Sequence, residues 1–249
     1  MYMGVLCDEN VIQSMKSFPF RREWKFICAE ASLNAVEQKL SAVLNLDSHT
    51  ESGSSYSIHS LYFDDYTDSS MRGNDAGSFR KDKYRIRYYR NDPKTLHLEK
   101  KCRRGERSGK LSYRLTEEEC LLLAEGQFEN IFWRAEDPML REFCACGMSR
   151  LMRPKAIIDY ERTAYVDELL HIRITFDRNI TASDDTGSFL TQDYQRYPVM
   201  SGRQHILEVK FDSVLPRYLK SILSSEELER TAFSKYYMGR KVCQAQKGI

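Results

Sequence analysis

Glu23 and Lys25, Arg85 and Arg87, Glu99 and Lys101, Lys110 and Arg114, Arg162, Arg173, and Glu208 and Lys210 occur in segments where charged residues alternate with apolar ones. The clearest segments are Lys83-Tyr84-Arg85-Ile86-Arg87-Tyr88-Tyr89, Leu96-His97-Leu98-Glu99-Lys100-Lys101, Leu170-His171-Ile172-Arg173-Ile174-Thr175-Phe176-Asp177 and Ile206-Leu207-Glu208-Val209-Lys210-Phe211. Side chains two apart on a strand point the same way, so each segment carries one charged and one apolar face. Guanidinium forks and ammonium groups converging on one volume would bind several phosphates at once. A few carboxylates among them would hold a divalent cation, because Mg²⁺ takes one or two carboxylates plus substrate phosphates. Phosphoryl transfer then asks the protein mainly for positioning and charge stabilisation. The same pattern also fits a solvated antiparallel sheet with cross-strand Glu–Lys pairs worth about 0.2–1 kcal/mol each. Composition does not separate the two.

The opposite faces carry Tyr84, Ile86, Tyr88, Leu98, Ile172, Ile174, Phe176, Val209 and Phe211, which must be buried. A barrel with its charges inside would need amphipathic helices outside to cover them. Such helices are predicted over about 8 to 18, 29 to 44 (Ala29, Leu33, Val36, Leu40 and Leu44 at helical spacing), from Thr116, from Asp137-Pro138 to about Cys146, from Pro216, and from about 232 to the C-terminus. Thr116 with Glu119 three residues on is a capping box. Strands are predicted from Phe20 to Cys28, Ile58 to Phe63, near 155 to 165 and 170 to 178, and at 205 to 211, with turns at Asn91-Asp92-Pro93, Gly105 to Gly109 and Asp167-Glu168. The fold class is α+β: an antiparallel sheet or barrel with added helices.

Lys+Arg 38 against Asp+Glu 36 gives a formal charge of +2, so any basic surface is local and a nucleic-acid partner is not expected. No apolar run approaches the roughly 20 residues that span a bilayer, and the N-terminus lacks the basic start and apolar stretch of a secretory signal. The seven cysteines have no metal or redox spacing and read as reduced, structural thiols of a cytoplasmic protein. His49, His59, His97, His171 and His205 show no metal-binding spacing, although His97 and His171 share the charged face. Asp64-Asp65 reads as a turn or cap, and Asp177 as either metal support or an ion-pair partner.

Arg22-Glu23-Trp24-Lys25-Phe26, Leu61-Tyr62-Phe63-Asp64, Tyr84-Arg85-Ile86-Arg87-Tyr88, Leu98-Glu99-Lys100-Lys101, Tyr160-Glu161-Arg162, Arg173-Ile174-Thr175-Phe176-Asp177, Leu207-Glu208-Val209-Lys210 and Ser234-Lys235-Tyr236 follow one another in this order. With these motifs the chain resembles the catalytic domain of the vacuolar transporter chaperone family, the polyphosphate polymerases of the triphosphate tunnel metalloenzyme superfamily. The resemblance implies an antiparallel tunnel barrel of about eight strands with peripheral helices, formed by residues 1–249 as a single domain. It implies transfer of the terminal phosphoryl group of ATP to a growing polyphosphate chain, with Mn²⁺ or Mg²⁺.

Carried over by motif, Lys25, Arg85, Arg87, Lys101, Arg162, Arg173 and Lys235 would be the catalytic phosphate-holding groups. Lys110, Arg114, Lys210, Tyr160 and Ser234 would add substrate contacts, and Glu208, Glu99 and Glu23 would face the metal. Lys110 follows the turn at 105 to 109, which can shift it, and Ser234 reads as the helix cap that presents Lys235. Two departures stand out. Arg21 occupies the first position of the superfamily's Glu-x-Glu-x-Lys motif, which points away from the triphosphatase and cyclase branches. Lys100 falls on the outer, apolar face, where it would snorkel. The chain also resembles a free-standing bacterial catalytic domain, so any membrane partner would be a separate protein. An inorganic triphosphatase or polyphosphatase, and a noncatalytic polyphosphate-binding module, remain alternatives.

Overall fold

The computed structural model describes residues 20–48, 50, 55–75, 80–105, 107–200 and 203–248. The helix expected over 8 to 18 lies outside them. In chain order the strands are β1 (Arg21–Ala29), β2 (Asn45–Leu46), β3 (Tyr56–Asp64), β4 (Arg80–Tyr89), β5 (Asp92–Arg104), β6 (Arg107–Arg114), β7 (Arg153–Asp167), β8 (Ile172–Ser183), β9 (Tyr197–Pro198), β10 (Gln204–Phe211) and β11 (Glu229–Arg230). The wall runs β7-β3-β4-β5-β6-β1-β10-β8, and β8 pairs back onto β7, closing an 8-stranded antiparallel barrel. The short β2, β9 and β11 lie outside it, on β7, β8 and β1. Closure is uneven: β1 follows β10 from Arg22 to Ala29 but pairs with β6 only at Arg21 and Arg22.

The helices are α1 (Glu30–Ser41), α2 (Ser69–Asp75), α3 (Glu117–Glu125), α4 (Phe128–Phe132), α5 (Pro138–Arg150), α6 (Arg217–Leu223) and α7 (Lys235–Gln246). α1 and α3 to α6 cover the apolar outer faces of the strands. Leu123, Ile131 and Phe143 from α3, α4 and α5 pack on Leu61, Phe63, Tyr84, Ile86 and Leu98. Leu33, Val36 and Leu40 from α1, with Leu219 from α6, pack on Phe26, Ile174, Phe176, Val209 and Phe211. Each such side chain contributes about 1.5–3 kcal/mol on full burial.

α7 differs, because it packs on the inner wall at one end of the barrel. Tyr236 and Cys243 join Ile58, Ile158, Ala182 and Ile206 in a third core. A Cβ at Gly239 would stand 2.2 Å from Ile158 Cδ1 and 3.1 Å from Ala182 Cβ, so the missing side chain lets the helix seat there. One end of the barrel is therefore filled, and the charged interior lies toward the other.

Several boundaries differ from expectation. The turn predicted over 105 to 109 is shorter: Gly105 takes φ 59 and β6 begins at Arg107. The turn at Asn91-Asp92-Pro93 is made one residue earlier by Arg90 and Asn91, both left-handed (φ 55 and 56), the conformation that a tight hairpin needs. α5 starts on its Asp137 cap as expected but continues past Cys146 to Arg150, where Leu151 turns left-handed at φ 49. α2 and α4 are too short to show a periodicity. His171 does not share the interior: β8 starts one residue later, and His171 sits exposed in the turn at φ 50.

Candidate functional site

The cross-strand register places Glu23 and Lys25 of β1, Lys83, Arg85 and Arg87 of β4, Glu99 and Lys101 of β5, Lys110 of β6, Arg162 of β7, Arg173 and Asp177 of β8, and Glu208 and Lys210 of β10 on the inner face. Two carboxylate centres organise these cations. At the first, fully buried Asp177 accepts two hydrogen bonds from Arg162, at 2.6 and 2.7 Å, and Lys235 stands 2.6 Å away. Lys235 also donates to Glu208 at 2.8 Å, while Lys25 lies 3.5 Å from Glu208 and 3.9 Å from Glu23. Glu23 accepts from Lys101 at 3.0 Å and from Ser108 at 2.9 Å, and Lys210 is 3.9 Å from Glu208.

At the second centre, Glu99 accepts from Arg85 at 2.7 Å and from Lys110, with Arg87 3.5 Å away. Arg85 also donates to the Tyr62 hydroxyl at 2.7 Å, and Arg87 to Ser60 at 3.1 Å and to the Tyr160 hydroxyl at 2.8 Å. Each guanidinium is thus fixed before any ligand arrives, the preorganisation that charge stabilisation requires. Glu99 is committed to these cations and stands apart from the Glu23–Glu208 neighbourhood. The short turn at Gly105 puts Lys110 opposite Lys101, within reach of Glu99.

Arg173 lies nearer the open end, bonded to Asp47 at 2.8 Å and reaching the Tyr56 hydroxyl at 3.4 Å. Arg114 is exposed opposite His97. Ser234 caps α7 by accepting from the Tyr237 amide at 3.4 Å, and its hydroxyl receives Lys83 at 3.1 Å. Lys83 was not singled out by sequence, although its even spacing from Arg85 and Arg87 places it on their face. Lys100, on the outer face as expected, is buried over the Tyr84 ring and paired with Glu142 of α5. Asp64 accepts from the Ser70 and Met71 amides at the start of α2 and from the Tyr236 hydroxyl, which anchors α7 to the barrel end.

Within this interior, cations outnumber carboxylates. Burial alone would raise the Glu208 carboxyl, but Lys235, Lys25, Lys210 and Arg162 hold it well below the usual range. Arg87, Arg85 and Lys110 do the same for Glu99. Lys210 moves the other way. Burial, with repulsion from Lys101 and Arg162, pushes it down to about 7 against the pull of Glu23 and Glu208. The buried Thr175 hydroxyl, which shares its strand's inner face with Arg173 and Asp177 and pairs in register with Glu208, finds no hydrogen-bond partner among the described residues.

A closed antiparallel barrel with a cation-rich, carboxylate-bearing interior defines a tunnel-type barrel domain. The VTC domain profile matches residues 20–244, and the chain belongs to that family. Among solved structures it is similar to a candidate adenylate cyclase from Vibrio parahaemolyticus (10% identity, 89% of this chain and 98% of that one, TM-score 0.48). It is similar to the Mimivirus capping enzyme triphosphatase (12% identity, 90% and 97%, TM-score 0.37) and to an RNA triphosphatase of Schizosaccharomyces pombe (10% identity, 100% and 95%, TM-score 0.33). At these identities and scores the likenesses say nothing about activity. No curated protein matches the chain by sequence. Among the described residues, no helix is long and apolar enough to cross a membrane.

Proposed function

We propose that the chain, acting over residues 1–249 as one tunnel domain, is a polyphosphate polymerase that transfers the terminal phosphoryl group of ATP to polyphosphate. The observation that carries this reading is the convergence of Lys25, Arg85, Arg87, Lys101, Lys110, Arg162, Lys210 and Lys235 inside a closed barrel, in excess of the carboxylates that offset them. Arg85 and Arg87 lie two residues apart on β4, and their guanidinium groups converge on one Glu99 oxygen, at 2.7 and 3.5 Å, so together they grip one stretch of the phosphate chain. Arg162 and Lys235, held on Asp177, stabilise charge on the transferring group, and Lys25, Lys101 and Lys210, grouped around Glu23 and Glu208, line the adjoining path.

The acceptor oxygen of a polyphosphate is already anionic and needs no base, whereas water does.

A divalent metal, Mn²⁺ or Mg²⁺, fits one place. Glu23 and Glu208 flank the same Lys25 ammonium, and the Thr175 hydroxyl beside Glu208 has no hydrogen-bond partner among the described residues. Among the described residues no three acidic, His or Cys side chains cluster, so phosphate oxygens and water would complete the set, as Mg²⁺ prefers. When bound, the ion would neutralise charge on the phosphate oxygens.

The filled barrel end favours a second reading, an inorganic triphosphatase. α7 occupies the end through which a long product would thread, while a short triphosphate can enter and leave by the open mouth. Incubation with ATP and Mn²⁺ or Mg²⁺ separates the two. A ladder of chain lengths supports the polymerase, and free phosphate without a ladder supports hydrolysis. Binding without turnover under either metal leaves a polyphosphate-binding module.

A further inference from the structure

Toward the open end, the inner wall changes from cations to aromatic rings. Tyr89 follows Lys83, Arg85 and Arg87 at the next inward position of β4. Its ring centroid lies 6.2 Å from Tyr56 on β3 and 6.5 Å from His97 on β5. Tyr89 and His97 are half-buried, so both rings keep a solvent-facing part. At the filled end, Tyr62 and Tyr236 stack at 5.2 Å and both are buried, with the Tyr62 hydroxyl bonded by Arg85 and the Tyr236 hydroxyl donating to Asp64.

His97 Nδ1 lies 2.8 Å from the Thr95 carbonyl oxygen, so that nitrogen carries the proton and donates. In the neutral ring, Nε2 then remains as an acceptor. Arg114 faces His97 across the β5–β6 pair and is exposed. Along β4, Arg85 to Tyr89 covers about 13–14 Å, comparable to an extended nucleoside triphosphate measured from its terminal phosphate to its base.

We infer that Tyr89 and His97, with the buried Tyr56 ring backing Tyr89, form a nucleobase subsite at the open mouth of the barrel. A nucleoside triphosphate then enters phosphates first: Arg87 and Arg85 take the phosphate groups, and the base stacks on Tyr89 with the His97 Nε2 acceptor beside it. This rests on the triphosphate reading above and adds the orientation of the nucleotide and the source of preference for a nucleotide over inorganic phosphate chains. Rings are suited to this, because base stacking on aromatic side chains tolerates any base while requiring one to be present.

The test is calorimetric titration of the full chain with ATP and, separately, with inorganic tripolyphosphate. In Tyr89→Leu and in His97→Ala, ATP affinity falls about 5-fold or more while tripolyphosphate affinity stays within about twofold. Tyr89→Phe, which keeps the ring, retains ATP binding. Equal losses for both ligands, or no loss of ATP binding, would overturn the subsite while leaving the triphosphate reading intact. A parent protein that binds neither ligand would overturn the triphosphate reading and this inference with it.

Discussion

Replacing Asp177 by Asn keeps the shape of the side chain and removes the charge that holds Arg162 and Lys235 in place. Asp177 has no exposed surface, so water cannot take over the lost interaction. Breaking a buried ion pair by removing one partner costs about 3–5 kcal/mol. Glu208 remains 2.8 Å from Lys235 and 3.7 Å from Arg162, which places the loss at the low end, about 3 kcal/mol. For a chain of this size that is a fall in Tm of about 6–12 °C. A polyanion in the interior supplies the missing negative charge, so saturating tripolyphosphate raises the Tm of Asp177→Asn by more than it raises that of the parent. Thermal unfolding with and without tripolyphosphate reads both effects. A ligand-free loss below about 1 kcal/mol, or a ligand shift no larger than the parent's, would refute the view that Asp177 balances the cations of a phosphate site.

Three further outcomes follow from the same geometry. Arg87→Ala leaves Glu99 bonded to Arg85 and Lys110, and relief of repulsion from Arg85 offsets lost packing. Its ligand-free Tm therefore moves little while tripolyphosphate affinity, read by calorimetry, falls about tenfold or more. Lys210 titrates near 7 when folded, well below its unfolded value of about 10.4, so the unfolded chain binds the extra proton between those values and ligand-free stability rises with pH across that window. Anion binding needs the charged form, so tripolyphosphate affinity falls as pH rises through 7, and Lys210→Met flattens that dependence in titrations at pH 6 and pH 8.5. Gly239→Ala drives a methyl into Ile158 and costs about 1–3 kcal/mol. Because α7 also carries Lys235, chemical denaturation and tripolyphosphate binding both register the change.

Much of the barrel was legible because the strand period is two. The parity of Arg85, Arg87, Glu99, Lys101, Glu208 and Lys210 against Ile86, Leu98 and Val209 assigned charges to one face and the core to the other. Short-range chemistry was legible too: Thr116 and Asp137 cap α3 and α5 through bonds to residues two and three positions on. Cross-strand partners were not. That Glu99 serves Arg85 and Lys110, while Glu23 and Glu208 share Lys25, depends on the stagger of strands distant in sequence. The place of α7 was hidden for a related reason. An amphipathic pattern says that one helix face is buried but not against which wall, and only Gly239 marks the close approach. His171 has the right parity but lies outside its strand by a single residue, which turns it to solvent.

The central claim is that the barrel interior takes a chain of phosphates. Diffraction from crystals soaked in tripolyphosphate and Mn²⁺ tests it most directly, since the anion's position and the metal's anomalous signal are both read in one map. The account predicts phosphate density between Arg85 and Arg87 on one wall and Arg162, Lys210 and Lys235 on the other, with the metal signal beside Glu208. An interior without phosphate at saturating ligand, with the anion held only on the outer surface, would contradict it.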